Sequence, residues 1–342
     1  MSRQYERLIT FCRDGAPGRF FGSLKYAAVA AACLLAAPVS SGAVDYPKRP
    51  IQIVVPFTPG GNTDTLARLL AERMQATFKQ PVTVENRPGA GTNIGAAYVA
   101  NSEPNGYTML LNAPASFVIN QFIYNSLQYD PDTSFAPVCL VATFPNVLVV
   151  HPSVGVKNIQ ELIDKAKANP GKIEYAIAGI GATSHLSAAL FAEMAKINVV
   201  AIPYKGTSQS LPDLVAGRVA FTIDNLGPIL PFIRAGKLIA LGVSTKQPVS
   251  LLPGVPPIDT VLKGYELSSW NMLAMPAKTP KEIVELVGKE CDRIVRLPDV
   301  AEKMRSFASE PVGGTPEQAA AFLKSERPRW EAAIKAAKIP KQ

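Results

Sequence analysis

Residues Ile51–Gly95, IQIVVPFTPGGNTDTLARLLAERMQATFKQPVTVENRPGAGTNIG, decide how the rest of the chain is read. They open with a short apolar strand, Ile51–Val55, β-branched enough to be buried on both faces. Phe57-Thr58-Pro59-Gly60-Gly61-Asn62-Thr63 then turns tightly, as its glycines allow. Asn62 or Thr63 is placed to cap the helix that follows, and Asp64 falls in its first turn, where the helix dipole favours negative charge. Leu66, Leu70, Met74 and Phe78 recur every four residues and give that helix one apolar face. A second strand, Val82–Glu85, closes a β-α-β unit. It leads into Asn86-Arg87-Pro88-Gly89-Ala90-Gly91-Thr92-Asn93-Ile94-Gly95, a second glycine-rich loop before a second helix. Two such loops from neighbouring strands, each ending at a helix N-terminus, bring several backbone N–H groups around one point. Physically that is an anion cradle.

Upstream, Arg3, Arg7, Arg13, Arg19 and Lys25 precede an apolar run, Tyr26–Pro38, and then the small residues Ser40-Ser41-Gly42-Ala43. That order is expected of a secretory signal peptide over residues 1–43, cleaved after Ala43 to give an exported, periplasmic chain. The run is too short for a stable membrane anchor. Ala30-Ala31-Ala32 before Cys33 lacks the bulky aliphatic residue of a lipoprotein site. The whole sequence has 342 residues and a net charge of +8, and it stays mildly basic without the leader, with no run of like charges. Nucleic acid is therefore a poor partner, whereas a small anion suits the sign. Cys139 and Cys291 remain after cleavage; nothing in the sequence brings them together, so two free, buried thiols are expected, with a disulfide as the alternative.

Downstream, the alternation continues. Ile94–Ala100 reads as a helix, Thr108–Leu111 as a third strand followed by the loop Asn112–Ser116, and Ala136–Val141 and Val147–Val150 as further strands. A second series then starts. Asn158 with Glu161 forms a helix start, Ile173–Ile177 is a strand, and Gly179-Ile180-Gly181-Ala182-Thr183-Ser184 again precedes a helix. Val199–Ile202 leads through Pro203-Tyr204-Lys205-Gly206-Thr207-Ser208 into a short helix, and Val219–Ile223 is followed by Asp224-Asn225. Ser269–Ala274 is strand-like. Helix starts follow at Thr279-Pro280-Lys281-Glu282 and Thr315-Pro316-Glu317-Gln318, the last helix being expected to kink at Pro328.

Two such series predict two α/β lobes, each a mainly parallel sheet flanked by helices, with the loops at the strand carboxyl ends lining the walls of one cleft. Residues 44–146 start the first lobe, 147–268 make the second, and 269–342 return to the first with the C-terminal helices. Hinge points are expected near Pro145–Val149 and Leu267–Asn271. Loops at Phe144–Asn146 and Asp224–Pro228 are expected to tune ligand choice.

Catalytic chemistry is poorly served. The histidines are His151 and His185. Ser184 and His185 are adjacent on a helix and point about 100° apart, and no G-x-S-x-G elbow is present. No Cys/His or carboxylate spacing suits a metal. Gly89–Gly95 reads G-x-G-x-x-x-G, one residue off the dinucleotide fingerprint and after the wrong strand, and no P-loop exists. No catalytic residue, metal or cofactor is expected.

The motifs taken together resemble a known family. Tyr46-Pro47-Lys48-Arg49-Pro50-Ile51, Val55-Pro56-Phe57-Thr58-Pro59-Gly60-Gly61-Asn62-Thr63-Asp64, Val84-Glu85-Asn86-Arg87-Pro88-Gly89-Ala90-Gly91 and Pro104-Asn105-Gly106-Tyr107-Thr108 look like the tripartite tricarboxylate transporter substrate-binding proteins, the Bug-type periplasmic receptors. Ser184-His185-Leu186, Pro203-Tyr204-Lys205-Gly206, Asp213–Val219 and Ala235-Gly236-Lys237-Leu238 match as well. The resemblance implies a two-lobed, type II-like binding protein of the Venus-flytrap kind, monomeric, that closes on a small carboxylate (a di- or tricarboxylate or an aromatic carboxylate) and hands it to integral membrane transporter subunits. A sensing module that signals to a membrane kinase uses the same trap and is the alternative. Carried onto this chain, the implied contacts are Phe57, Gly60, Gly61, Thr63, Gly91, Thr92 and Asn112 from the first lobe. Thr183, Ser184, Lys205, Gly206, Thr207 and Asp224 are those from the second. Thr92 stands where many relatives have glycine. Asp224 either bonds a ligand N–H or O–H or caps a neighbouring loop, and Lys205 is either a ligand partner or solvated.

Overall fold

The two faces of the first strand enter different cores. In the computed structural model, which describes residues 45–341, strand β1 (Ile51–Val55) sends Ile51, Ile53 and Val55 into one hydrophobic cluster and Val54 into another. The alternation is that of a strand covered on both sides. The leader expected over residues 1–43 lies outside the described residues.

Helix α1 (Asn62–Phe78) lays Leu66, Leu70 and Met74 on the first cluster, with Phe78 half-buried beside it, as their spacing predicts. Strand β2 (Val82–Asn86), helix α2 (Asn93–Ala100) and strand β3 (Thr108–Asn112) complete the opening series. A π-helical turn, Ala115–Ile119, runs into the short α3 (Asn120–Ile123), and β4 (Phe135–Phe144) follows. Pro145 alone separates β4 from β5 (Asn146–Val150).

The second series is α4 (Ile159–Ala168), β6 (Glu174–Ile177), α5 (Thr183–Ala195), β7 (Val200–Pro203), α6 (Thr207–Val215), β8 (Phe221–Asn225), α7 (Leu226–Arg234) and β9 (Ile239–Val243). The chain then returns through β10 (Ser269–Pro276), α8 (Lys281–Val295), α9 (Pro298–Ser306), β11 (Glu310–Gly313) and α10 (Pro316–Ala336).

Two sheets result. One has six strands in the order β11-β4-β10-β3-β1-β2, the other five in the order β7-β6-β8-β5-β9. Strands that feed the βα loops run parallel: β1 with β2 and β3, and β6 with β7 and β8. Strands that carry the chain between the sheets run antiparallel, β10 against β3 and β4, and β5 against β8 and β9. Both sheets are therefore mixed, because a strand arriving from the other lobe enters from the opposite end.

The two passages between the lobes are tied together. Asn146, fully buried, donates its side-chain amide to Ser187 Oγ at 2.9 Å and to the Leu267 carbonyl at 3.1 Å. Its backbone N–H donates to Ser244 Oγ at 2.9 Å, and Leu267 N–H donates to the Ser244 carbonyl at 3.2 Å. Phe144–Asn146 is thus a crossing between strands, not a loop in the cleft. Asp224–Pro228 is not a loop either, since Asn225 ends β8 and Leu226 starts α7.

Other expectations are corrected by tertiary partners. Gly61 is the N-cap of α1, without a side-chain cap; Asn62 instead bonds Ser309 at 3.3 Å, and Thr63 accepts from Asn271 at 3.0 Å. Pro280 sits at the N-cap of α8, one place before its first helical residue. Asn158 and Thr315 cap α4 and α10 through Glu161 N–H and Gln318 N–H, as read. Cys139 and Cys291 are free thiols buried in one core cluster, and burial pushes the Cys291 thiol well up, with Cys139 beside it adding to the effect.

Candidate functional site

Four helices begin at the narrow slot between the two sheets. Its lining includes Gly61, Asn62 and Thr63 from the start of α1, Ala182, Thr183 and Ser184 from the start of α5, Thr207 from α6, and Asp224 and Asn225 at the junction of β8 and α7. Phe57, Thr58, Ala113 and Ala178 complete the wall. None of these four helices has a side-chain cap hydrogen bond at its N-terminus. First-turn N–H groups of α1, α5 and α6 without an intrahelical partner, together with the positive ends of four dipoles, make this the place for an anion. At α7, Leu226 N–H already donates to the Pro145 carbonyl at 3.1 Å, and Pro228 has no N–H.

The loop that opens α1 is braced from beneath. Asp64, buried, accepts from Gly60 N–H, Asn86 Nδ2 and Arg68 Nε and Nη2, each at 2.9 Å. Burial pushes its carboxyl up, but the bonds from Arg68, Gly60 and Asn86 outweigh this and hold it below the usual carboxylate range. Asn86 also donates to the Phe57 carbonyl at 3.0 Å, so one carboxylate pins both ends of the turn. On the opposite lobe Ser184 Oγ accepts from Ala178 N–H at 2.9 Å and Thr207 Oγ1 donates to Asp224 Oδ2 at 2.8 Å. Asp224 Oδ1 accepts from Asn225 N–H at 2.7 Å. Asp224 is 1% exposed, and its burial, only partly offset by these two bonds, pushes the carboxyl up to about 6.

An outer cavity of about 380 Å³ adjoins the slot, lined among others by Phe57, Gly91, Thr92, Tyr124, Ile180, Lys205 and Gln209. Across it the lobes touch. Thr58 Oγ1 and Ser208 Oγ lie 2.7 Å apart, Thr58 N–H donates to the Lys205 carbonyl at 3.4 Å, and Tyr124 O–H donates to the Ile180 carbonyl at 3.3 Å. A second cavity of about 330 Å³, with Phe144, Pro145, Val249 and Arg305 in its wall, lies at the crossing points, and no helix-start residue of the slot lines it.

The implied contact residues divide accordingly. Phe57, Gly61, Thr63, Thr183, Ser184, Thr207 and Asp224 line the inner slot; Phe57, Gly91, Thr92 and Lys205 line the outer cavity. Gly60, Gly206 and Asn112 line neither. Gly206 packs against Thr58 at the lips, and Asn112, fully buried, donates to Ser116 Oγ at 2.6 Å, which in turn bonds Thr92 Oγ1 at 2.8 Å. Lys205 is exposed, at the mouth. Thr92 has φ +81°, a left-handed conformation that a β-branched residue adopts only under strain and that glycine takes freely. Ile180, Ser208 and Asn225 fall in segments the sequence marks (Gly179–Ser184, Pro203–Ser208 and Asp224–Pro228) without being singled out as contacts, whereas Tyr124 meets the cleft through tertiary packing that no local motif marks.

Ser184 and His185 form no nucleophile–base pair. The serine accepts from Ala178 N–H, while His185 Nδ1 accepts from Gly181 N–H at 3.3 Å and burial pushes the ring down to about 4. Among the described residues no group of three or more metal-ligating side chains is found, and no helix is long and apolar enough to cross a membrane.

Comparison with known proteins gives this geometry a family. Residues 66–339 match the profile of the tripartite tricarboxylate transporter family receptor. A curated relative from Pseudomonas sp. (strain P51), a UPF0065 protein in the tcbD-tcbE intergenic region, is 38% identical over 84% of this chain and 86% of its own length. Protein BugT of Bordetella pertussis is 35% identical over 88% of this chain and 92% of its own. Among solved structures, R. palustris Rpa4515 with adipate superposes with a TM-score of 0.85 at 37% identity, covering 87% of this chain and all of that one. The periplasmic binding protein BugD gives 0.83 at 37% identity with the same coverage, and MatC of Rhodopseudomonas palustris with bound malate gives 0.81 at 29%, over 84% of this chain. These are solute-binding proteins and not enzymes, and their two-lobed fold is the one described above. The chain belongs to the tripartite tricarboxylate transporter receptor family, the Bug-type periplasmic solute-binding proteins.

Proposed function

We infer that this protein is a periplasmic receptor that captures a small carboxylate between its lobes and delivers it to a tripartite membrane transporter. The observation that carries the reading is the convergence of four helix N-termini, none with a side-chain cap, on one slot. The slot as it stands has room for about 20 Å³, so a carboxylate reaching it from the outer cavity has to widen it. There it accepts from first-turn N–H groups and meets the positive ends of the dipoles without needing a cationic side chain. The adipate and malate of two related structures support the ligand class. Closure turns on the crossings at Pro145 and at Leu267–Ser269, where Asn146 makes the pivot rigid, and the lip contacts of Thr58 and Tyr124 hold the closed form. The closed surface is then what the transporter reads.

A thermal-shift screen of the purified protein against carboxylates, amino acids and sugars tests this. Ligand at a hundred times its Kd adds about 2.7 kcal/mol to stability, a clear rise in midpoint. A shift confined to neutral sugars would overturn the anion reading.

A further inference from the structure

The inner slot is polar in two unlike ways. Its first-lobe wall offers donors: the first-turn N–H groups of α1, and the Thr63 hydroxyl, whose oxygen already accepts from Asn271 Nδ2 and whose hydrogen is therefore free to point inward. Its second-lobe wall adds the first turns of α5 and α6 and, beside them, two acceptor groups. Asp224 uses each carboxylate oxygen once, toward Thr207 and Asn225 N–H, and a carboxylate accepts about four hydrogen bonds. Beside it the side-chain oxygen of Asn225 is buried and has no partner. Among the described residues no cation forms an ion pair with Asp224, and the slot lining holds no Lys or Arg. Lys205, at the mouth, is exposed.

An acceptor-only ligand held at the helix N-termini sets its oxygens or its apolar carbons against Asp224 and Asn225. That leaves two buried acceptors unmatched and, for an oxygen, two negative groups in contact. A hydroxyl or ammonium on the carbon next to the bound carboxylate removes both penalties at once.

We propose that Asp224 and Asn225 select carboxylates bearing a hydrogen-bond donor beside the bound carboxylate, 2-hydroxy or 2-amino acids, over the corresponding bare acids. This deepens the carboxylate-receptor reading and rests on it. Burial pushes Asp224 up to about 6, so above neutral pH it is an ionised acceptor ready for either donor.

Isothermal titration calorimetry at pH 7.5 with matched pairs (succinate against malate and aspartate, glutarate against 2-hydroxyglutarate and glutamate) separates the possibilities. The donor-bearing member of the best-bound pair is expected to bind about ten- to a hundredfold tighter, a fold-change set by one hydrogen bond to a charged acceptor. Asp224→Asn, nearly isosteric, is expected to bring that ratio to within about threefold. A bare acid that binds wild type as tightly as its donor-bearing partner overturns the proposal, whatever the variant does. A preference that survives undiminished in a folded Asp224→Asn protein overturns the role of Asp224. If no carboxylate of any pair binds, the receptor reading itself fails and this inference falls with it.

Discussion

Gly91 is where a single methyl group should hold the lobes apart. Its φ is +57°, and a Cβ built on it overlaps the Ile180 carbonyl oxygen of the other lobe and the Tyr124 hydroxyl, with Tyr124 Cζ at 3.2 Å. Gly91→Ala therefore carries two costs. A left-handed alanine costs about 1–2 kcal/mol whatever the lobes do. Overpacking against a backbone carbonyl costs about 1–3 kcal/mol more, and because that carbonyl belongs to the opposite lobe, opening the lips relieves it. The clash with the Ile180 carbonyl falls on the closed, liganded form alone, so the affinity for the best-bound carboxylate should weaken about 5- to 150-fold, while Tyr124, on the same lobe as Gly91, must shift in either form. Gly60→Ala is the control. Its φ is also positive, +85°, but the nearest atom to its Cβ is Ser208 Cβ at 3.8 Å, an ordinary contact. The two variants should differ far more by calorimetry with ligand than in urea unfolding without it. Equal affinities, within twofold, would refute the argument that closure brings Gly91 against Ile180.

Further outcomes follow from the buried polar groups. Asp224 holds its proton more tightly folded than unfolded, with a carboxyl raised to about 6, so its contribution to stability is full at low pH and is lost as pH rises through about 6. Unliganded wild type should therefore gain about 2 kcal/mol relative to Asp224→Asn between pH 8 and pH 4 in chemical denaturation, and an unchanged difference would contradict the buried carboxylate. His185, lowered to about 4, has the opposite sign: its contribution is present above about 6.5 and is lost as pH falls toward 4. Hence Asp224→Asn should be the more acid-sensitive protein of the two. Glu326 Oε2 accepts from the indole N–H of both Trp270 and Trp330 at 2.8 Å; Glu326→Leu strands both and should cost about 2–5 kcal/mol in urea unfolding, with a loss below 1 kcal/mol speaking against the shared acceptor. Asp64→Ala removes the common acceptor of Gly60, Arg68 and Asn86 and should cost about 2–4 kcal/mol, with faster hydrogen exchange at Gly60; protection equal to wild type would show that the turn holds without it.

What could be read locally was read well. The alternation in Ile51–Val55, the four-residue spacing of Leu66, Leu70 and Met74, and the caps at Asn158 and Thr315 depend on near neighbours in sequence. Elements missed were those whose local chemistry argues against them. Helix α7 begins Leu226-Gly227-Pro228 and contains Pro231, breakers that the packing of Leu226, Ile229 and Leu230 with Val147 and Val149 of β5 and Val243 of β9 overrides. Strand β11 is Glu310-Pro311-Val312-Gly313, a poor strand former tolerated because it pairs on one edge only, with β4. At the site, the glycine loops announced the helix starts, whereas the lip pair Thr58 and Ser208 is 150 residues apart and has no local signature. Asn62 and Thr63 looked like caps because nothing in the sequence reveals that Ser309 and Asn271 would claim them.

Helix α10 has a mechanical consequence. Trp330, Ala333 and Ile334 are rooted in a cluster with Phe117 and Trp270, yet Leu186 of α5 belongs to that same cluster, and Lys338, just past the helix, pairs with Glu193 of α5 at 2.7 Å. The two strand crossings alone would leave the lobes free to twist as well as to bend. The contacts of α10 add a third link between the two lobes beside those crossings, and any relative movement of the lobes has to strain or break it. Cutting the chain before Trp330 would release that link, and a fusion placed at Lys341 would load it. Reporter labels and purification tags therefore do not belong at this end of the chain.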